Sequence, residues 1–498
     1  MISFNNIPEN IRTPGSYVEV DNSRALQNLL PNPHKTLIIG MLHSDGTADY
    51  DTVYSITKDG LADGYFGPGS VLARMCNTFK LNNQNTELHA IAIGSGVAGA
   101  AASASIDFST ALAGAEASYA GTYYLMVNGV TCYADIALSM SGQGIASLVA
   151  STINAIANST LPVRAVVAGG SVRISAICSG TLGNYINIRH NYYAGQSIPT
   201  LFSRDPILVS MAGGSTDPDL GDAWAVIDGT QYHYICQPWI TAANLTEIED
   251  ELSDRFGPMV DMQGHGFAGV RATLASCTTL GNSRNSPHNT IIGAYDSPTA
   301  PEEWAAALTG VAAKYLNNDP ARPLQYLKLN GVLAPPVQNR FTQSERDTIL
   351  YDGIATYTCD SVGNVMIERC ITTYQTNAYG LLDPSYLDIE TLATLSEIRY
   401  QYQARMVQRF ILPRFKLVED TFPVQPGTYV AAPKTVKQEI IALFSQLQDI
   451  GLIENLAEFV ENLVVERDSS DVNRVNVLLP PDLVNQFRVL ATQIQFLL

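Results

Sequence analysis

Residues 94–99, with the sequence GSGVAG, match the GxGxxG pattern of dinucleotide-binding proteins. They follow a predicted strand, and Glu116 lies near the position where such proteins place an acid for the ribose. The pattern requires that a well-formed helix begin at the glycines and that another strand follow it. Here alanine, serine and glycine continue to about residue 121. We therefore predict a linker at this position, and no bound cofactor.

Gly264, His265 and Gly266 resemble the neighbourhood of the histidine in subtilisin-like proteases. A catalytic triad needs an acid that orients the histidine and a serine nucleophile within reach. The nearest serine candidate is Ser283, which lacks the small residues and apolar helix entry expected of a protease nucleophile. We predict a structural histidine in a glycine turn, and a hydrolase that uses His265 stays the alternative.

His233 and Cys236 have a spacing that metal ligands use, but no second pair follows them in the sequence. They lie on an apolar segment, so core packing is the expectation and no metal site is predicted. The sequence contains neither GxxxxGK[ST] nor HExxH, the patterns of nucleotide hydrolysis and zinc proteolysis. We expect no enzyme, and any mechanical work would come from folding or assembly.

The segments around these residues alternate between strands and helices. Residues 36–40 and 88–93 read as strands on either side of a helix near 69–79, which predicts an α/β layer. The same pattern returns after residue 200, with further strands expected at Met259-Val260 and 290–293 and a helix from Pro301. Between them, hairpins at 122–133 and 163–177 enclose a helix near 144–158. A β-rich insertion of roughly a hundred residues is therefore predicted.

The fold class that we predict is a multidomain α/β and α+β protein, because 498 residues exceed one ordinary core. Past the Pro-rich boundary near 335 we expect a hairpin at 353–374 and long helices near 389–410 and from Pro433. The predicted parts are an N-terminal arm at 1–30, a discontinuous α/β domain at 31–95 and 201–335, an insertion at 96–200, and a C-terminal domain at 336–498.

Composition excludes several classes of function. The net charge of −18 argues against nucleic-acid binding, which needs a basic footprint. No apolar run is long enough to span a membrane, and residues 1–5 do not resemble a signal peptide. Seven scattered cysteines without a CxxC motif predict reduced, buried thiols in a protein made in a cytosol. Hydrophobic residues make up 46% and charged residues only 15%, which favours a surface covered by partners.

Both ends of the chain read as strands without a local partner. Residues 16–21 alternate around Val18 and Val20, and residues 493–498 carry apolar side chains at 494 and from 496 to the last position. An unpaired apolar strand promotes aggregation unless the protein's own sheet or a neighbouring subunit covers it. The residues that we predict to form strands between subunits are Tyr17, Val18, Val20, Ile494, Phe496 and Leu498.

A basic run contains Arg399, Arg405, Arg409, Arg414 and Lys416 without an intervening acid, and acids dominate from Glu419 to Asp471. The ordinary interpretation is a solvated helix face. The functional one is a pair of complementary patches that fix the register of partners.

Several long and unusual segments resemble the tail sheath proteins of Mu-like contractile-tailed phages, over nearly the whole chain. They are FNNIP at 4–8, TLGNSRNSPH at 279–288, DPARPLQ at 319–325, LYDGIATY at 350–357, ITTYQTN at 371–377, VVERD at 464–468 and LLPPDLVNQ at 478–486.

This resemblance implies a structural polymer of the phage tail, assembled in the bacterial cytoplasm and carried in the virion. Subunits stack as hexameric rings around an inner tube, and the sheath contracts to drive that tube through the host envelope. The implied partners are further copies, the inner tail tube protein, and baseplate and tail terminator proteins, without direct contact to nucleic acid or membrane.

The resemblance also implies a core domain built from both chain ends, an inactive subtilisin-like middle domain and an outward-facing insertion. For tube contact we predict Arg399, Arg405 and Arg409. A sheath of a phage-derived contractile particle without a genome is the alternative within the family.

Overall fold

The structure is a computed structural model that describes residue 15 and residues 29–94, 99–113, 116–157, 160–202, 204–423 and 429–497. Its α-helices are α1 (Leu61–Phe66), α2 (Val71–Asn82), α3 (Gly142–Ala157), α4 (Gly221–Ile227), α5 (Ala242–Phe256), α6 (Leu274–Asn282), α7 (Pro301–Asn318), α8 (Gln343–Tyr351), α9 (Ile389–Met406), α10 (Pro433–Asp449) and α11 (Leu456–Asn462). Short 3₁₀ segments lie at Thr181–Tyr185 and Val337–Asn339, and a π-helical turn at Val407–Ile411 continues α9.

The strands in the first half of the chain are β1 (Lys35–Gly40), β2 (Val53–Ser55), β3 (Glu87–Ala92), β4 (Ser103–Asp107), β5 (Gly121–Val127), β6 (Val130–Ile136), β7 (Val163–Ala168), β8 (Ser171–Ala176), β9 (Ile188–His190), β10 (Ile207–Ala212) and β11 (Tyr234–Cys236). The later strands are β12 (His265–Val270), β13 (Asn289–Gly293), β14 (Thr356–Cys359), β15 (Val365–Arg369), β16 (Lys416–Leu417), β17 (Val430–Ala431), β18 (Ile453–Glu454), β19 (Val464–Arg467), β20 (Val475–Leu478) and β21 (Asp482–Leu483).

A six-stranded sheet in the order β13-β12-β11-β1-β3-β2 forms the centre of the larger compact unit, which consists of Pro33–Thr394 and Gln486–Leu498. Its strands pair in parallel except β2, which pairs antiparallel with β3 at the edge. Every residue of β12 and β13 is buried, as expected for a parallel sheet covered on both faces. The predicted α/β layer is thereby confirmed.

Helix α7 packs against both β12 and α2. Pro301 provides the first turn, where its missing amide hydrogen costs nothing. All residues from Pro301 to Ala313 are buried, so this alanine-rich helix is covered all round. Its small side chains allow neighbouring elements to pack closely on every side. The helix therefore has no polar face turned to solvent over these residues.

The chain between β3 and β11 forms a β-rich region with its own apolar core. It contains an antiparallel sheet in the order β10-β4-β8-β7, a second sheet in the order β6-β5-β9, and helix α3, which packs on β6, β7 and β8. Both predicted hairpins are present. Asn128 and Gly129 have φ values of 49° and 80°, the left-handed pair that a two-residue hairpin turn of this type requires.

The chain divides into two compact units. One consists of Pro33–Thr394 with Gln486–Leu498, and the other of Met1–Asn32 with Leu395–Asn485. In the smaller unit, Phe444 of α10 and Phe459 of α11 stack with ring centroids 4.1 Å apart, next to buried Ile440, Leu443 and Leu447. The division into domains predicted from the sequence stays a prediction.

Three local predictions were wrong. The linker expected up to about residue 121 instead contains strand β4, which pairs with β8 and β10, and the buried Phe108. Met259 and Val260 do not form a strand but lie in a turn, with Met259 93% exposed. His265 does not lie in a glycine turn, because it is the first residue of the buried strand β12. In addition, residues 491–497 have no regular secondary structure in the isolated chain.

Candidate functional site

The surroundings of His265 do not form a catalytic triad. Its Nε2 lies 2.8 Å from Oγ1 of Thr290, and its Nδ1 is buried without a hydrogen-bond partner in the described part of the chain. The hydroxyl of Ser283 donates to the carbonyl of Leu280 in its own helix. Burial, together with the neighbouring His288, lowers the pKa of His265 to about 3. The ring is thus a neutral core residue without the orienting acid that a general base needs.

His233 and Cys236 do not converge on a metal. His233 lies in a bend just before β11, whereas Cys236 is the last residue of that strand. His233 stacks on His34 with ring centroids 4.1 Å apart, and burial lowers its pKa to about 4. Cys236 is fully buried. Within the described residues no cluster of three or more histidine, cysteine or acidic side chains has the arrangement of a metal site.

The cysteines are free thiols, and all except the half-buried Cys359 are buried. Burial raises the pKa of Cys236 to about 12 and that of Cys277 to about 11. Such thiols are protonated and inert at neutral pH. The residues of the GxGxxG match at 95–98 lie outside the described residues. Among the described helices, none combines the length and apolarity needed to cross a bilayer.

The basic run is partly neutralised inside the smaller unit. Arg405 is 6% exposed, and its Nε donates to Oε1 of Glu439 at 2.5 Å. Arg409 donates to the same oxygen at 3.1 Å, with its side chain 39% exposed. Glu439 lies in the acidic stretch, so these two pairs bring the basic and acidic patches together within one chain. The predicted tube contact by Arg399, Arg405 and Arg409 stays a prediction, and Arg405 has an internal role.

The C-terminal segment exposes its apolar side chains. Tyr17, Val18, Val20 and Leu498 lie outside the described residues, whereas Ile494 is 86% and Phe496 78% exposed. The other strongly exposed apolar residues of this segment are Phe487, Val489, Leu490 and Leu497. So many exposed apolar side chains within one short segment are uncommon on the surface of a monomeric protein.

Arg488 anchors the start of this segment to the larger unit. Its Nη2 lies 2.9 Å from Oδ1 of Asp388 and 2.9 Å from Oε2 of Glu390. The carbonyl of Phe487 accepts from Nε2 of Gln325 at 3.2 Å. We call the set of Arg488, Asp388 and Glu390 the tail anchor. The exposed residues therefore begin at a fixed point on the unit.

The tail anchor is largely buried, because the side chain of Arg488 is 13% and that of Glu390 0% exposed. Glu390 also accepts from the amide of Leu324 at 2.9 Å, and Asp388 is held by Arg369 through two bonds of 3.0 Å. Burial raises the pKa of Glu390, while Arg488 acts against that shift. Arg488 is a signal that the sequence offered but that we missed, since it is the last charged residue of the chain.

The sequence also gave no sign of a polar contact between the β-rich region and α7. Asn128, at the hairpin tip, donates to Oε1 of Glu303 at 2.7 Å and accepts from the amide of Ala300 at 3.0 Å. Glu302 and Glu303 both pair with the buried guanidinium of Arg74, at 2.7 Å for Glu302. This buried network joins the β-rich region to the parallel sheet's main helix.

Comparison with known proteins identifies relatives over the whole chain. Residues 213–373 match the family described as phage tail sheath protein central domain, and residues 382–497 match phage tail sheath C-terminal domain. The Mu-like prophage FluMu tail sheath protein of Haemophilus influenzae is 35% identical over 497 residues, which cover 100% of both chains.

One solved structure of a sheath protein shows a related fold. The crystal structure of a sheath tail protein from Desulfitobacterium hafniense aligns with a TM-score of 0.50 at 12% identity, over 95% of this chain and 97% of that one. The contracted helical sheath of the anti-feeding prophage aligns with a TM-score of 0.48 at 11% identity, over 98% and 99% of the two chains.

Proposed function

Since this chain belongs to the phage tail sheath protein family, we propose that it polymerises around an inner tail tube as the contractile sheath of a Mu-like phage. It is a tail sheath subunit and thus a virion component. In the proposed mechanism, stacked hexameric rings shorten and widen, and the tube is driven through the host envelope. Rearranged contacts between subunits supply the work.

The single observation that carries the proposal is the exposed apolar segment behind the tail anchor. Residues 491–497 have no regular secondary structure and no partner strand in the isolated chain. An extended peptide can add a strand to the sheet edge of a neighbour, where backbone hydrogen bonds give affinity and alternate side chains give specificity. Ile494 and Phe496 are two residues apart, so on a strand they face the same side. We propose that they enter a neighbouring subunit, with the N-terminal residues Tyr17, Val18 and Val20 as the second arm.

Deleting residues 489–498 tests this function. The deletion removes the exposed side chains but keeps Arg488 and its carboxylates. We expect the truncated chain to stay monomeric at concentrations where the full chain forms tubes or ring stacks in negative-stain microscopy. We also expect its tryptophan fluorescence to match that of the full chain, because Trp224, Trp239 and Trp304 lie in the larger unit.

A matched pair of double substitutions separates the two faces of the segment. Ile494→Ser with Phe496→Ser should block assembly, whereas Gln493→Ser with Gln495→Ser should leave it intact. If the truncated chain assembles normally, strand exchange by this end is wrong. If the intact chain stays monomeric even with the tube protein, the sheath proposal itself is wrong.

The finer architecture is part of the same proposal. We propose that both chain ends build the core domain next to the tube, that the parallel-sheet domain is an inactive subtilisin-like domain, and that the β-rich region faces outward. The parallel sheet with a buried histidine at the start of β12 supports the second assignment. The proposed partners are the inner tail tube protein and the baseplate and tail terminator proteins. A structural role without catalysis accords with the geometry of His265.

A further inference from the structure

A cavity of about 180 Å³ lies beside the end of β13, between α8 and β14. Two arginines line it, and both are held in place by backbone carbonyls. Arg340 donates through Nε to the carbonyl of Pro335 at 3.0 Å. Arg346 donates through Nη1 to the carbonyl of Phe341 at 2.8 Å, and through Nε to Oε2 of Glu368 at 2.8 Å. The cavity therefore has two guanidinium groups in fixed positions.

The charges around this cavity do not balance. Glu368 offsets Arg346, but no carboxylate lies within ion-pair distance of Arg340 in the described part of the chain. Asp296, which accepts from the adjacent Asn339 at 2.6 Å, is already paired with Arg189 at 3.1 Å. One positive charge is left without a counter-charge.

A polar group in the wall also lacks a partner. Thr356 lines the cavity and is 2% exposed, yet its hydroxyl makes no hydrogen bond within the described residues. A buried hydroxyl without a partner costs free energy, which a bound acceptor would recover. Planar guanidinium groups with fixed orientation favour carboxylate or phosphate oxygens. The chemistry of the wall thus fits a small oxyanion with a single charge.

We propose that this cavity binds a carboxylate side chain from a second copy of the chain in the assembled sheath. The inference rests on the proposed polymer. Complementary charge selects the occupant, because the chain has 47 acidic against 29 basic residues, and a neighbouring copy presents many carboxylates. We call this cavity the Arg340 pocket.

Arg340→Gln tests the proposal through assembly, with Arg173→Gln on the exposed surface of β8 as the matched control. We expect the concentration needed for tube formation, measured by sedimentation, to rise about tenfold or more for Arg340→Gln. The control should assemble like the unmodified chain. Normal assembly of Arg340→Gln would overturn the proposal and leave the sheath function standing, whereas failure of the unmodified chain to assemble would contradict the function itself.

Glu368→Gln provides a second test, in which anion binding to the cavity is expected to increase. It leaves both arginines without a counter-charge. With Ile494→Ser and Phe496→Ser in every chain to keep it unassembled, acetate should raise the melting temperature of the Glu368→Gln variant more than that of its parent, at constant ionic strength. Arg340→Gln should remove the acetate effect. Equal effects of acetate on all three chains would overturn the site. Acetate or phosphate binding that depends on Arg340, combined with unchanged assembly, would mean an adventitious ion only and would overturn the second-copy occupant.

Discussion

Replacing Arg488 with alanine leaves the fully buried carboxylate of Glu390 without its cation. Removing one partner of a buried ion pair typically costs about 3–5 kcal/mol of stability. The lower end applies here, because Asp388 keeps its two bonds to Arg369 and Glu390 keeps the amide of Leu324. We therefore expect Arg488→Ala to reduce the free energy of unfolding of the larger unit by about 3 kcal/mol at pH 8.

This loss should depend on pH in a defined direction. Burial already raises the pKa of Glu390, and removing Arg488 raises it further. The folded state then holds a proton that the unfolded state releases, so stability increases as the pH falls through the folded-state pKa. The difference between Arg488→Ala and the unmodified chain should thus be smaller at pH 5 than at pH 8.

Urea unfolding followed by tryptophan fluorescence measures this effect, since Trp224, Trp239 and Trp304 all report on the larger unit. Ile494→Ser with Phe496→Ser in both chains keeps them unassembled during the measurement. Adding Glu390→Gln to Arg488→Ala should recover most of the loss, because no uncompensated charge is then buried. A loss below about 1 kcal/mol, or no recovery in the double variant, would refute the role of the tail anchor.

Two further predictions concern the arginine run and the buried histidine. Arg399→Glu with Arg409→Glu should weaken co-sedimentation with the tube protein by about tenfold while self-assembly changes little, and equal losses would assign these residues to packing between subunits. His265 is neutral in the folded chain, with a pKa of about 3, whereas the unfolded histidine takes up a proton near pH 6.5. Lower pH therefore favours the unfolded state, and acidification from pH 7 to pH 5 should cost about 2 kcal/mol of stability through this residue. In urea titrations His265→Asn should reduce the loss of unfolding free energy between pH 7 and pH 5. An unchanged pH dependence of stability in this variant would contradict the prediction.

Local sequence signals predicted the hairpins but not every strand of the sheet. Asn128-Gly129 specifies its turn through backbone conformation alone, so the hairpin could be predicted without knowing the fold. Strand β12 contains two glycines between apolar residues and has weak strand propensity. A Cβ at Gly269 would lie 2.1 Å from the carbonyl oxygen of Pro301, so glycine there is dictated by the approach of α7. Contacts between distant segments determine that strand, and periodicity does not reveal them.

The partners of the ionic contacts could not be predicted from the sequence for the same reason. The basic run suggested an external surface, but Glu439 lies 34 positions after Arg405 and comes next to it only in the fold. Arg488 and Glu390 are 98 positions apart. The apolar residues Ile494 and Phe496, in contrast, were visible in the sequence, because their alternation with glutamines is a local pattern.

The single amide of Asn128 has a consequence for how this protein can diversify. The polar contact of the β-rich region with α7 depends on one side chain at a hairpin tip, so substitutions on strands away from that tip leave this contact in place. A foreign β-rich module that presents an Asn-Gly turn at this position could bond to the same acceptor, Glu303, and the same donor, the amide of Ala300. Such a module would also have to keep the other bonds to the scaffold, which include the pair of Arg189 with Asp296 and the bond from the Tyr192 hydroxyl to the carbonyl of Ala334.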